Sequence, residues 1–194
     1  MPIGALSVIG VVATIIITTS AHELGHAAAA RLLRIPIRWI LIGHGPVLWR
    51  RPLKQGVELV WRALPTGIAI GLDGRRNADG TLCRPIRYDM LIAAAGPVVS
   101  LLLAALLWDL GQWVLLPSWL RFWLIAGGLL SVVTGILSLI PIPGLDGGHL
   151  LMLALTRAGI QISPQQETYV HRLGVNLIFA GSLTGLVATL VYRL

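Results

Sequence analysis

Residues 3–33 read IGALSVIGVVATIIITTSAHELGHAAAARLL. Through Thr19 the stretch carries no charged side chain. It has the roughly 20 mostly apolar residues that a helix needs to cross a bilayer. Then His22, Glu23 and His26 arrive on the same helix. Ionisable groups at membrane depth are costly unless they are paired or used. This cluster therefore points to a shared ligand. No Lys or Arg precedes Arg31, so the basic start of a signal peptide is missing, and a retained helix is expected.

The rest of the chain supports a lipid environment. Of its 194 residues, 56% are hydrophobic and only 12% are charged. Mean hydropathy is +0.81. A soluble domain is nearer a quarter charged. The net charge is +7, but the charge is localised, with eleven of the 15 Lys and Arg residues between Arg31 and Arg87. Apolar segments flank that stretch. The pattern reads as a cytoplasmic loop near anionic lipid rather than a nucleic-acid surface, and no nucleic-acid partner is expected. Cys83 is the lone cysteine, so disulfide frameworks and cysteine metal clusters within the chain are excluded.

Three further spans are expected at about 90–108, 122–140 and 173–191, which makes the chain one all-α polytopic membrane domain of about four transmembrane helices. Between the first two spans, a region over about 36–70 is rich in Gly and Pro and holds short β-branched and aromatic runs such as 57–64. It is expected to form a small membrane-associated β-hairpin region. Residues 73–81, DGRRNADGT, read as a polar turn-rich loop. Ser163 is a candidate N-cap. Arg157 and Arg172 fall between spans three and four, so the distribution of cations puts both termini outside. Spans one and three then run from outside to inside. The seven tryptophans suit interfacial anchoring.

His22, Glu23 and His26 form an H-E-x-x-H pattern. On a helix, positions i and i+4 share a face, so both imidazoles can hold one zinc ion. Glu23 sits roughly 100° round the helix from His22, where it can serve as a general base toward water at that ion. A catalytic zinc takes a third protein ligand and keeps one position open. The candidate is Asp146 in PIPGLDGGH (141–149). Two prolines break the helix there, and broken helices at membrane depth line cavities. By residue count, His22 and Asp146 both fall near the cytoplasmic end of their spans. A fourth ligand would close the open position, so His149 is given a supporting role. His171 is read as a solvated loop residue. Gly96 and Ser100, at i and i+4 on the second span, admit two readings. One is close helix packing. The other is polar contact with the substrate or the active site.

Together these motifs resemble the site-2 protease family of intramembrane zinc metalloproteases, most of all its bacterial regulator-of-sigma-E protease branch. HELGHAAAAR (22–31) is similar to the active-site helix, and IGHGPVLWRR (42–51) to the segment after it. GVELVWRALPTG (56–67) resembles the β-hairpin, AAGPVVS (94–100) the small-residue pattern of the second core helix, and LIPIPGLDGGHLL (139–151) the aspartate motif. The resemblance implies zinc-dependent cleavage of single-span membrane proteins or leftover signal peptides, with the hairpin presenting the substrate as an added strand. It implies His22, His26 and Asp146 as metal ligands, Glu23 as the catalytic base, and substrate contacts at Gly96, Ser100 and Ser138. Ser138 stands where the family has asparagine. His44 stands where the branch has an aromatic residue and is read as a loop histidine. The link between the second and third spans is about a dozen residues, too short for the PDZ domains of that branch, so a separate regulatory partner is expected. The expected location is a prokaryotic inner membrane, with the active site toward the cytoplasm.

Two other classes compete. A catalytically silent relative would lack Glu23 or Asp146, and both are present. A transporter would spread ionisable residues through several spans, whereas the second and fourth spans have almost none.

Overall fold

The computed structural model describes residues 3–74, 82–113, 115–160, 162–163 and 165–177, with backbone only at 3–8, 44, 65 and 66. The chain divides into two units, residues 1–136 and 137–194.

The first unit opens with helix α1, Ile3–Leu32, which at 30 residues is about 45 Å long. Its threonines satisfy their hydroxyls locally. Thr14 donates to Gly10 O at 2.8 Å, Thr18 to Thr14 O at 2.9 Å and Thr19 to Ile15 O at 2.7 Å. Each hydroxyl is thus paired within the helix itself. The helix ends in a Schellman motif: Ile35 N–H donates to Ala30 O at 2.8 Å and Arg34 N–H to Arg31 O at 3.1 Å. Arg34 takes the left-handed position, φ +57°. Ala30 and Ile35 then bury against Ile92, with Leu72 and Tyr88 packed around them.

Strands β1, Ile37–Pro52, and β2, Glu58–Leu72, form one small mixed sheet: 37–42 with 68–72 and 49–52 with 58–61 run antiparallel, whereas 39–42 with 58–61 run parallel. They are longer than the short strands expected from sequence. The register shows why. Residues 39–42 face both 68–71 and 58–61, while 49–52 face 58–61. Each strand is bent back on the sheet, which becomes four segments wide. Gly43 and Gly45, both at φ +88°, supply the bend in β1. β-Branched and aromatic residues suit the pleated surface, but their bending through glycine is a long-range result.

Helix α2, Ile86–Gly111, is held at its start by a buried ion pair. Arg84 donates to Asp89 Oδ1 at 2.7 and 3.0 Å and also reaches the carbonyls of Asp73 and Gly74. Asp73 in turn accepts from Arg38 at 2.6 Å. That hydrogen bond, with the Gly74 amide and the Arg84 charge, holds the Asp73 carboxyl below its ordinary value. The sign follows. A depressed carboxyl stabilises above its unfolded value and is lost as pH falls through its folded one, so this tie is present at neutral pH.

Helix α3, Ser118–Ser138, follows after a six-residue link, 112–117. α2 and α3 are both long and apolar enough to cross a membrane. In the second unit, α4 runs Asp146–Arg157. Its N-cap is Leu145, with Asp146 in the first turn rather than capping. A Cβ at Gly147 would strike the carbonyls of Leu139 and Ile140, so the D-G-G sequence lets backbone pass backbone. Residues 165–177 are helical. Ser163 caps them as expected, in a reciprocal pair with Gln166 (3.2 and 2.9 Å). The expected fourth span over 173–191 lies mostly outside the described residues, as does the loop over 75–81.

Candidate metal centre

The helical spacing of H-E-x-x-H does what local geometry requires. His22 and His26 turn one face of α1 toward α2, and their Nε2 atoms stand 3.3 Å apart. One ligand atom from each of His22, Glu23 and His26 lies within 4.8 Å of the others. His22 is buried, and Glu23 and His26 are half-buried.

α2 supplies what α1 cannot. His26 Nδ1 is 2.7 Å from Ile92 O, and His22 Nδ1 is 2.8 Å from Ser100 Oγ. A carbonyl only accepts, so His26 carries its proton on Nδ1 and turns a bare Nε2 inward. The Ser100 hydroxyl can accept or donate, so His22 can place its proton at either nitrogen. Two bare Nε2 atoms at 3.3 Å would repel. A proton on one of the two nitrogens, or a cation shared by both, removes that repulsion.

The donor set fits zinc. Two nitrogens at about 2.0–2.1 Å from one tetrahedral ion lie about 3.3–3.4 Å apart. The observed separation is 3.3 Å, and both Nδ1 atoms are engaged, as they are behind metal-binding histidines.

Two small residues make this approach possible. A Cβ at Gly25 would meet Ala95 O at 2.7 Å, and one at Gly96 would collide with His26 Nε2 and lie 2.8 Å from His22 Nε2. α1 and α2 thus cross glycine to helix at the imidazoles. Sequence reading singled out Gly96 and Ser100 without choosing between packing and polar contact. The structure turns both toward the imidazoles, and Ser100 is 1% exposed. It did not find Gly25 or the Ile92 carbonyl. A glycine inside H-E-x-x-H was the available signal for the first, and a backbone acceptor leaves no sequence signal.

Ser100→Ala removes the group on His22 Nδ1 while leaving the helix crossing intact. The expected outcome is zinc affinity weaker by about 10–100-fold, read by competition with a chromophoric chelator.

Asp146 stands in the first turn of α4, in the second unit. Ser138 closes α3 and is buried. His149 Nδ1 is 3.4 Å from Glu167 Oε1. His171 is exposed, on a helix rather than a loop. The His44 side chain lies outside the described residues, while its backbone pairs with Leu64.

Comparison with known proteins agrees in family and fold. The peptidase family M50 matches residues 10–118 and 112–181. A protein of Pasteurella multocida named as a zinc metalloprotease is 36% identical over 98 residues, covering 46% of this chain and 22% of its own length. One of Mycolicibacterium smegmatis, similarly named, is 32% identical over 147 residues, covering 71% of this chain and 54% of its own. The chain therefore spans between about a fifth and about a half of the length of these curated relatives. A solved site-2 protease from Methanocaldococcus jannaschii shares the fold, with a TM-score of 0.55, 21% identity, and coverage of 91% of this chain and 67% of the other.

Proposed function

The chain belongs to peptidase family M50, and we propose that it is a zinc-dependent endopeptidase of the membrane that cleaves peptide bonds within or beside the transmembrane segments of its substrates. The observation that carries this reading is the pair of Nε2 atoms 3.3 Å apart with both Nδ1 atoms held from α2. His22 and His26 would hold the zinc, with Asp146 of the second unit as the third ligand. Zinc bound there would polarise a carbonyl and bring the pKa of water toward ~7.

The chain's own residues supply the rest. Glu23 takes a proton from the attacking water and returns it to the leaving amine nitrogen, which keeps the proton count balanced through the cleavage. Ser100 and the Ile92 carbonyl hold the imidazoles so that neither must reorganise during the reaction. A helical substrate hides its scissile bond behind backbone hydrogen bonds and must be drawn out before attack. The hairpin offers strand edges for that, as in strand addition. The substrates are single-span membrane proteins or leftover signal peptides, and a separate regulatory partner selects among them. With eleven of 15 cations between Arg31 and Arg87, that stretch faces the cytoplasm, and the site lies toward the same side of a prokaryotic inner membrane.

The test is cleavage of a panel of single-span model substrates by the purified chain in detergent. The chelator 1,10-phenanthroline should stop cleavage and added zinc should restore it, while Asp146→Asn should copurify with much less zinc. Chelator-insensitive cleavage would sink the metal mechanism. A zinc-loaded chain that cuts nothing would favour the silent, segment-binding alternative.

A further inference from the structure

Beyond the end of α1 lies a groove of about 780 Å³ that the proposed chemistry does not use. Ile35, Ile40 and Leu53 are among its apolar lining, and Arg31, Arg34 and Lys54 bring three cations to it. We propose that it binds an anionic phospholipid, with the phosphodiester headgroup on the three cations and the upper acyl chain on the apolar floor.

Charge complementarity is the first argument. Three cations of the same stretch have carboxylates, Arg38 with Asp73, Arg50 with Glu58 and Arg84 with Asp89, while Arg51, Arg62 and Arg87 have none among the described residues but do not line the groove. Among the described residues, Arg31, Arg34 and Lys54 have no acidic partner, and all three are exposed. Three cations converging without a counter-ion repel one another, and a bound anion removes that cost.

Backbone conformation is the second, independent argument. The structure has two non-glycine residues at positive φ among those described, Arg34 at +57° and Gln55 at +64°. Both line this groove. Arg34 occupies the position after α1 where helices mostly use glycine, because a side chain is strained there. Gln55 lies in the turn Lys54–Gly56, which carries Lys54 to the groove. Strained positions that keep long polar side chains mark places where the side chain is used.

The occupant follows from the setting. An apolar floor under a cationic rim, beside membrane-spanning helices, matches an amphiphile with an anionic head. The size is that of an ordinary ligand site. The groove begins at Arg31, five residues past His26, roughly 7.5 Å along the helix. A lipid seated there would fix the height in the membrane of the helix that carries the imidazoles. The proposal stands on this groove alone and is independent of the protease reading.

The experiment uses the full chain in an uncharged detergent, with thermal unfolding followed by tryptophan fluorescence. It is titrated with dioctanoyl phosphatidylglycerol, dioctanoyl phosphatidylcholine or inorganic phosphate. Phosphatidylglycerol should raise the Tm saturably, and the other two should not. Each cation removed should weaken that affinity about fivefold, and Arg31→Gln, Arg34→Gly and Lys54→Gln together on the order of a hundredfold. Arg34→Gly also keeps the proposal testable if the triple variant folds poorly. Glycine relaxes the backbone there, so the lipid-free Tm should hold or rise while lipid affinity falls. Arg87→Gln, an equal loss of charge outside the groove, should leave affinity unchanged. A matching response to phosphatidylcholine or to inorganic phosphate would overturn the lipid assignment. So would equal weakening by Arg87→Gln, an unaltered response in Arg34→Gly, or no response to phosphatidylglycerol.

Discussion

Glu23→Gln is expected to keep its zinc and lose cleavage by about 10²–10⁴-fold, the usual worth of a general base. The amide keeps the shape and hydrogen-bonding size of the carboxylate but cannot take a proton. Glu23 lies on α1 between the two histidines, with an oxygen within 4.8 Å of the imidazole ligand atoms. That distance leaves two roles open to it, base or ligand, and the variant separates them. A base leaves zinc content near one per chain when replaced, whereas a ligand takes zinc with it. Zinc measured by mass spectrometry beside the cleavage rate decides the matter. Full cleavage in Glu23→Gln would remove Glu23 from the chemistry altogether.

Gly96→Ala is expected to empty the site without unfolding the chain. The added methyl would collide with His26 Nε2 and stand 2.8 Å from His22 Nε2. The imidazoles cannot retreat. His26 is tied to Ile92 O and His22 to Ser100 Oγ, both on the helix that carries the new methyl. Alanine is otherwise the better helix former by about 1 kcal/mol, so circular dichroism should report an intact α2. Zinc content should fall from about one per chain to near zero. Retention of a full complement of zinc in Gly96→Ala would mean that the imidazoles bind elsewhere than against α2. Gly25→Ala offers a graded companion, since its methyl would meet Ala95 O at 2.7 Å and pushes the helices apart rather than blocking the nitrogens.

Much of this molecule was open to reading from local pattern. Long apolar runs with few charges set the helices, and α1, α2 and α3 overlap the spans expected at 3–33, 90–108 and 122–140. The PIPG break before α4 and the Ser163 cap also follow from residue chemistry within a turn or two. The hairpin region was legible in place but not in extent. Its doubled register depends on which segments meet across the sheet, and short β-branched runs carry no record of that.

The same division runs through the candidate site. Helical i, i+4 spacing alone puts His22 and His26 on one face with Glu23 beside them, because that spacing is a property of the helix and needs no partner. Which nitrogens turn inward was settled by packing against α2. The groups that hold each Nδ1, Ser100 and the Ile92 carbonyl, lie 78 and 66 residues away along the chain. No periodicity encodes a contact at that separation. It arises where two helices cross closely, and they cross closely because Gly25 and Gly96 have no side chain to hold them apart.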